Sequence, residues 1–204
     1  MNRRAMIKTW NTALFSALLL AACSPGQSDQ PALQGVDIKG TPIGGPFTLV
    51  DKDGKTVRWS DFSGKYRIVY FGYTWCPDAC PMDVGVLMQG FNRFAKEHPA
   101  QAAKIQPIFI SVDPARDTPA KVGEFTAAFS PRLLGLTGTQ AQVDEAVKSF
   151  KALALKGKQL DNGGYLMDHS RAAYLFDPQG QPIATLPIDK NPEAVAADLA
   201  ISVT

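Results

Sequence analysis

Arg67-Ile-Val-Tyr-Phe-Gly-Tyr-Thr-Trp-Cys-Pro-Asp-Ala-Cys-Pro81 decides the reading of this chain. Its first half, Arg67 to Tyr73, is a continuous apolar run of strand length, rich in β-branched and aromatic residues, which suits a strand buried on both faces. Its second half carries two cysteines separated by three residues. From Pro81 to Lys96, Val84, Leu87, Met88, Phe91 and Phe94 recur at helical spacing, so a core-facing helix starts just after the thiols. Cys76 and Cys80 therefore belong at the C-terminal end of a central strand and the start of a helix, where open α/β sheets gather their reactive groups.

The flanks extend the same pattern. Ile105 to Val112 is a second apolar strand; Thr118-Pro119 caps and opens a helix to about Phe129. Leu133 to Leu136 reads as a short strand and Thr139 to about Ala152 as a helix. Lys156 to Gly164 is polar and holds three glycines, which predicts an exposed loop. Ala172 to Asp177 and Pro182 to Leu186, joined by Pro178-Gln-Gly180, form a hairpin, and Asn191-Pro192 opens a last helix to about Ile201. Upstream, Phe47 to Val50 and Thr56 to Trp59 flank an Asp-Gly turn at 53–54, a hairpin signal. The sum is an α/β sandwich with a mixed central sheet, flanking helices and an N-terminal β-hairpin, with no repeat and no second domain.

The N-terminus reads differently. Arg3, Arg4 and Lys8 precede an apolar run from Trp10 to Ala22, too short at 13 residues for the roughly 18 of a spanning helix, so residues 1–22 read as a signal peptide. It ends in Leu20-Ala-Ala-Cys23, which resembles the lipobox of bacterial lipoproteins; that resemblance implies lipidation of Cys23, export and a lipid anchor facing the periplasm. Residues 23–35 read as a flexible tether, and 36–204 as the folded domain. Loss of the three basic residues turns the formal charge of +2 into −1, so nothing neutralises a run of phosphates and nucleic acid is excluded as a partner. It also resolves the odd count of three cysteines: one is for anchoring, and a pair remains for chemistry.

That pair has several possible uses. With Pro81 at the first helical position, Cys80 becomes the N-cap, and both sulfurs lie near the positive end of the helix dipole, which favours thiolate. Cβ atoms four apart in an ideal helix are about 5–6 Å apart, against about 3.5–4.5 Å in a disulfide, so the loop must bend to close the pair or open it around a metal. His169, in Tyr165-Leu-Met-Asp-His-Ser170, is one of two histidines. Two thiolates and one imidazole suit copper, whereas zinc ordinarily takes a fourth ligand; a lone histidine equally suits a hydrogen-bonded structural place. Asp168 could hold the imidazole from behind or cap a turn. Met82 and Met167 read as packing residues, His98 as a helix-end polar group, Asp78 and Asp83 as solvated loop charges, and Asp113 to Pro119 as loop and cap chemistry.

Taken in order, Phe47-Thr-Leu-Val-Asp51, Asp61-Phe-Ser-Gly-Lys65, Phe71 to Pro81, Val112-Asp-Pro-Ala-Arg-Asp-Thr-Pro119, Asp168-His-Ser170 and Tyr174-Leu-Phe-Asp-Pro178 resemble the Sco/SenC family. The resemblance implies a thioredoxin-like fold and one copper ion, Cu(I) or Cu(II), on Cys76, Cys80 and His169. It also implies a role in metallating the CuA site of cytochrome c oxidase subunit II, as copper donor or as reductant of its cysteines. A periplasmic thiol reductant and another copper carrier would be further partners. The alternatives are a thiol-disulfide oxidoreductase acting on those cysteines, or a redox sensor. Three residues between the cysteines, and no proline from Gly164 to Phe176, argue against general thioredoxin activity.

Overall fold

The computed structural model describes residues 32–160 and 163–204; residues 1–22, read as a signal peptide, Cys23 and most of the expected tether lie outside the described residues. In chain order the strands and helices are β1 (Val36–Asp37), β2 (Thr48–Val50), β3 (Thr56–Arg58), β4 (Tyr66–Gly72), α1 (Ala79–Glu97), α2 (Pro99–Ala102), β5 (Ile105–Ser111), α3 (Pro119–Ala127), β6 (Leu134–Leu136), α4 (Gln140–Ser149), β7 (Ala154–Gln159), β8 (Tyr165–His169), β9 (Ala173–Phe176), β10 (Pro182–Leu186) and α5 (Pro192–Ser202). A 3-10 turn, Trp59–Phe62, precedes β4.

Six strands make the central sheet in the order β1-β10-β9-β4-β5-β6. β4, β5 and β6 are parallel, in a register that sets Tyr66 against Ile105 and Gly72 against Ser111, while β9 joins β4 antiparallel. The sheet is therefore mixed, as the strand and helix alternation requires. All seven residues of β4 are buried. Their alternation feeds two cores: Ile68 and Tyr70 pack with Leu87, Phe91, Val195 and Leu199 of α1 and α5, and Val69 and Phe71 pack with Phe47, Val143 and Phe150 on the other face. α1 and α5 approach closely because Gly90 has no side chain; a Cβ there would lie 2.6 Å from Val195 and 2.7 Å from the Pro192 carbonyl oxygen.

Three expectations change. α1 begins at Ala79, so Asp78 takes the cap position and Cys80 is the second helical residue, not the N-cap. The helix can start early because Pro81 falls within the first turn, where a backbone N–H has no intrahelical partner to lose. The stretch from Lys156 to Gly164 is not all loop: β7 pairs antiparallel with β8, Ala154 opposite His169 and Leu155 opposite Asp168. Its Lys, Gly and Gln residues hide the alternation because most of β7 is exposed. His98 ends α1 as expected, and also precedes the unpredicted α2.

The entry to the domain is fixed. Gln34 and Gly35, assigned to the tether, donate their backbone N–H groups to the two oxygens of the buried Asp198 carboxylate, both at 2.8 Å. Leu33 lies beside Tyr66, Ile183 and Ile201, at the end of the sheet where β4 begins.

Candidate metal centre

β4 releases the chain at Gly72 and α1 takes it up at Ala79, and the connecting turn is tied down by an acid. Thr74 donates both its backbone N–H (2.9 Å) and its hydroxyl (2.6 Å) to Asp117, and Ser111 donates its hydroxyl to the same carboxylate at 2.6 Å. Asp113 accepts from the Tyr165 hydroxyl at 2.8 Å and from Arg116 Nε, and Arg116 donates to the Tyr165 carbonyl while stacking 3.5 Å from that ring's centre. Thr118 does cap α3, donors and acceptors arranged as a helix start requires. Reading the whole segment as loop chemistry missed that its two aspartates fasten the cysteine turn and the start of β8. The signal was two acids directly after an apolar strand.

The thiols are free and unequal. Cys80 is fully buried and Cys76 partly exposed; the Cys80 N–H donates to Cys76 Sγ at 3.3 Å. Burial pushes the Cys80 thiol well above the ordinary range, against the expectation that the helix start lowers both. At Cys76 burial also opposes ionisation, yet the backbone N–H groups of Cys80 and Asp78, with bonds to the Cys80 and Tyr73 side chains, bring it below the usual value. Gly72 makes room here: a Cβ on it would lie 3.1 Å from Cys80 Sγ and 2.9 Å from the Tyr70 and Phe109 rings.

His169 comes from the end of β8. Its Nε2 stands 3.2 Å from Cys80 Sγ and its Nδ1 3.0 Å from the Ser170 carbonyl oxygen. A carbonyl only accepts, so Nδ1 carries the proton and Nε2 presents its lone pair to the thiols. The rings of Tyr70 and Tyr73 meet the imidazole edge-on at 6.1 and 5.7 Å. The donor atoms of Cys76, Cys80 and His169 all lie within 4.8 Å of one another, the one such group of His, Cys and acidic residues among the described residues. Two ligands about 2.3 Å from one ion span at most about 4.6 Å, so the group fits a metal with little movement.

Other sequence candidates fall elsewhere. Asp168 is exposed, and the atom behind the imidazole is the Ser170 carbonyl. Asp78 is exposed, as expected of a solvated charge. Asp83 is not: it is buried on α1, accepting from the Tyr70 hydroxyl and from Arg171. Met82 is exposed, whereas Met167 packs against the core. No helix among the described residues is long and apolar enough to cross a membrane.

A model of the SCO1/SenC family matches residues 36–204, from the first strand to the last residue. The chain belongs to the SCO1/SenC family. Among SCO1/SenC relatives, protein SenC of Rhodobacter capsulatus is 40% identical over 176 residues, covering 86% of this chain and 73% of SenC. Mitochondrial SCO2 of Saccharomyces cerevisiae is 42% identical over 146 residues, 71% of this chain and 47% of the yeast protein; the chain spans about half the length of such mitochondrial relatives. The structure of Bradyrhizobium japonicum ScoI with copper bound superposes with a TM-score of 0.70 at 39% identity, over 78% of this chain and 98% of ScoI. The thioredoxin-like α/β fold of Sco proteins is thus the fold of this one.

Proposed function

We propose that this SCO1/SenC protein is a copper carrier, binding one copper ion through the thiolates of Cys76 and Cys80 and Nε2 of His169. It delivers that ion to the CuA site of cytochrome c oxidase subunit II, or prepares that site, and is a carrier rather than a turnover enzyme. The observation that supports this is the convergence of those three donors within 4.8 Å in a chain 39% identical to a ScoI solved with copper bound. Soft thiolates with an imidazole suit Cu(I), and the same donors hold Cu(II) strongly. The signal-like residues 1–22 and Cys23 support an exported, lipid-anchored, periplasm-facing carrier.

The pair also gates the site. Closing Cys76 and Cys80 into a disulfide removes two electrons and two protons, which an oxidant must accept, and with them two of three ligands; only the dithiol holds copper. A thiol reductant in the same compartment reopens it, and a second copper carrier supplies the ion.

Copper titration of the reduced and disulfide forms, beside reduced His169→Ala, tests the reading. One tightly held ion in the reduced wild type alone is the expected result; stoichiometric, equally tight copper in His169→Ala overturns the ligand assignment. A second reading, reduction of the CuA cysteines, is favoured by the accessible, acidified Cys76 beside a buried partner thiol. Copper transfer to the apo CuA domain, followed alongside reduction of its disulfide, separates the two.

A further inference from the structure

One carboxylate near the centre is not among the three converging donors, yet it is bonded to a ring that walls the imidazole and to a side chain two residues beyond it. Asp83 follows Cys80 by three residues on α1, about one turn, so both face the core. Its side chain is 3% exposed. Arg171, two residues beyond His169 and 54% exposed, reaches across to it with Nε on Oδ2 at 2.9 Å and Nη2 on Oδ1 at 2.7 Å. Tyr70, from β4, donates its hydroxyl to the same Oδ2 at 2.9 Å and sets its ring edge-on to the imidazole.

We infer that Asp83 and Arg171 are positioning residues for His169, a bidentate clamp that sets the reach of Nε2 to Cys80 Sγ. The inference rests on the proposed copper reading for its purpose and on geometry for its existence. His169 ends β8, which among the described residues pairs with β7 in a sheet of its own; the chain rejoins the central sheet at Ala173, opposite Tyr70, and between the two Arg171 ties it to α1. The clamp acts from the C-terminal side, joining the chain just past the histidine to the helix that carries Cys80. A planar guanidinium on a carboxylate fixes direction as well as distance, which an ammonium cannot. Through Tyr70 the same carboxylate also holds one wall of the imidazole's slot. Partners that orient a ligating histidine are commonly worth about 10- to 100-fold in metal affinity.

The test uses Arg171→Gln, Arg171→Lys and Asp83→Asn in the reduced, copper-free protein and then with Cu(I). Ring 15N shifts of His169 before copper is added report its tautomer and contacts, and competition with a chromophoric chelator reports affinity. In the wild type one tautomer, protonated at Nδ1, is expected. In Arg171→Gln and Asp83→Asn the ring shifts move toward a tautomer mixture, Cu(I) affinity falls by about 10- to 100-fold, and nitrogen ligation weakens in X-ray absorption. Arg171→Lys recovers part of each. Wild-type ring shifts and affinity in Arg171→Gln overturn the clamp, and if that variant does not fold, the same result in Asp83→Asn does. Tight copper in His169→Ala, together with moved ring shifts in Arg171→Gln, upholds the clamp and overturns the ligand reading alone.

Discussion

His169 Nε2 stands 3.2 Å from Cys80 Sγ although 89 residues separate the two along the chain. The centre is therefore assembled from a local half and a distant half. The cysteines share one turn and one helix start, so they meet as soon as α1 forms, whereas the histidine meets them only when β8 is docked. That division governs how the site responds to change.

The two thiols should react as unlike groups. Cys76 is partly exposed and below the ordinary thiol range, while Cys80 is buried and above it. Alkylation of the reduced native protein at pH 7 should modify Cys76 first, with a rate midpoint below the roughly 8.5 of a free cysteine, and reach Cys80 only on unfolding. Mass mapping of the adducts decides it; equal labelling of both thiols would refute the asymmetry.

The same shifts give the reduced protein a stability maximum in pH. Where the unfolded chain holds the Cys76 proton and the folded one does not, stability rises with pH, up to the unfolded thiol value near 8.5. Above it the unfolded chain releases the Cys80 proton that the folded protein retains, and stability falls by at most about 1.4 kcal/mol per pH unit for that one group. Melting temperatures from pH 6 to 10 should peak near 8.5, and Cys80→Ala should flatten the alkaline side. An unchanged alkaline decline in that variant would assign it to other groups.

Asp117 should matter to folding rather than to metal. Its carboxylate takes three hydrogen bonds, two of them from Thr74, and Asp117→Ala leaves buried donors unmet. A loss of about 3 kcal/mol in urea unfolding is expected. A loss below about 1 kcal/mol would mean that the cysteine turn is held by something else.

Gly90→Ala sets two effects against each other. Alanine gains about 1 kcal/mol in helix propensity over glycine, but the added methyl lies 2.6 Å from Val195, and overpacking costs about 1–3 kcal/mol. Contact with a backbone carbonyl that cannot move aside decides for destabilisation. Thermal melts should show a lowered midpoint; a raised one would show that α5 yields.

Much of this was legible because the decisive residues are locally patterned. The run Ile68 to Phe71 shows a two-sided strand by itself, and the Val84 to Phe94 spacing shows the helix that follows the thiols. β7 was not legible, since Lys156, Lys158 and Gln159 face solvent and carry no burial signal. Asp83 reads as a solvated charge and Asp117 as loop or cap chemistry because composition does not reveal that Arg171 or Thr74 arrives from far along the chain. For His169, spacing left the role open, and only the resemblance joined it to the cysteines. The opposed thiol shifts depend on depth, which the helix-dipole argument does not include.

The clasp of Asp198 on Gln34 and Gly35 separates two mechanical tasks. Tension applied to the chain ahead of Leu33 enters through α5 and the β4-start end of the sheet, whereas the cysteine turn lies at the end where β4 stops. A pull on Leu33 thus lands at the end of the sheet away from the thiols and reaches Cys80 only along β4 or through the contact of α5 with α1 at Gly90.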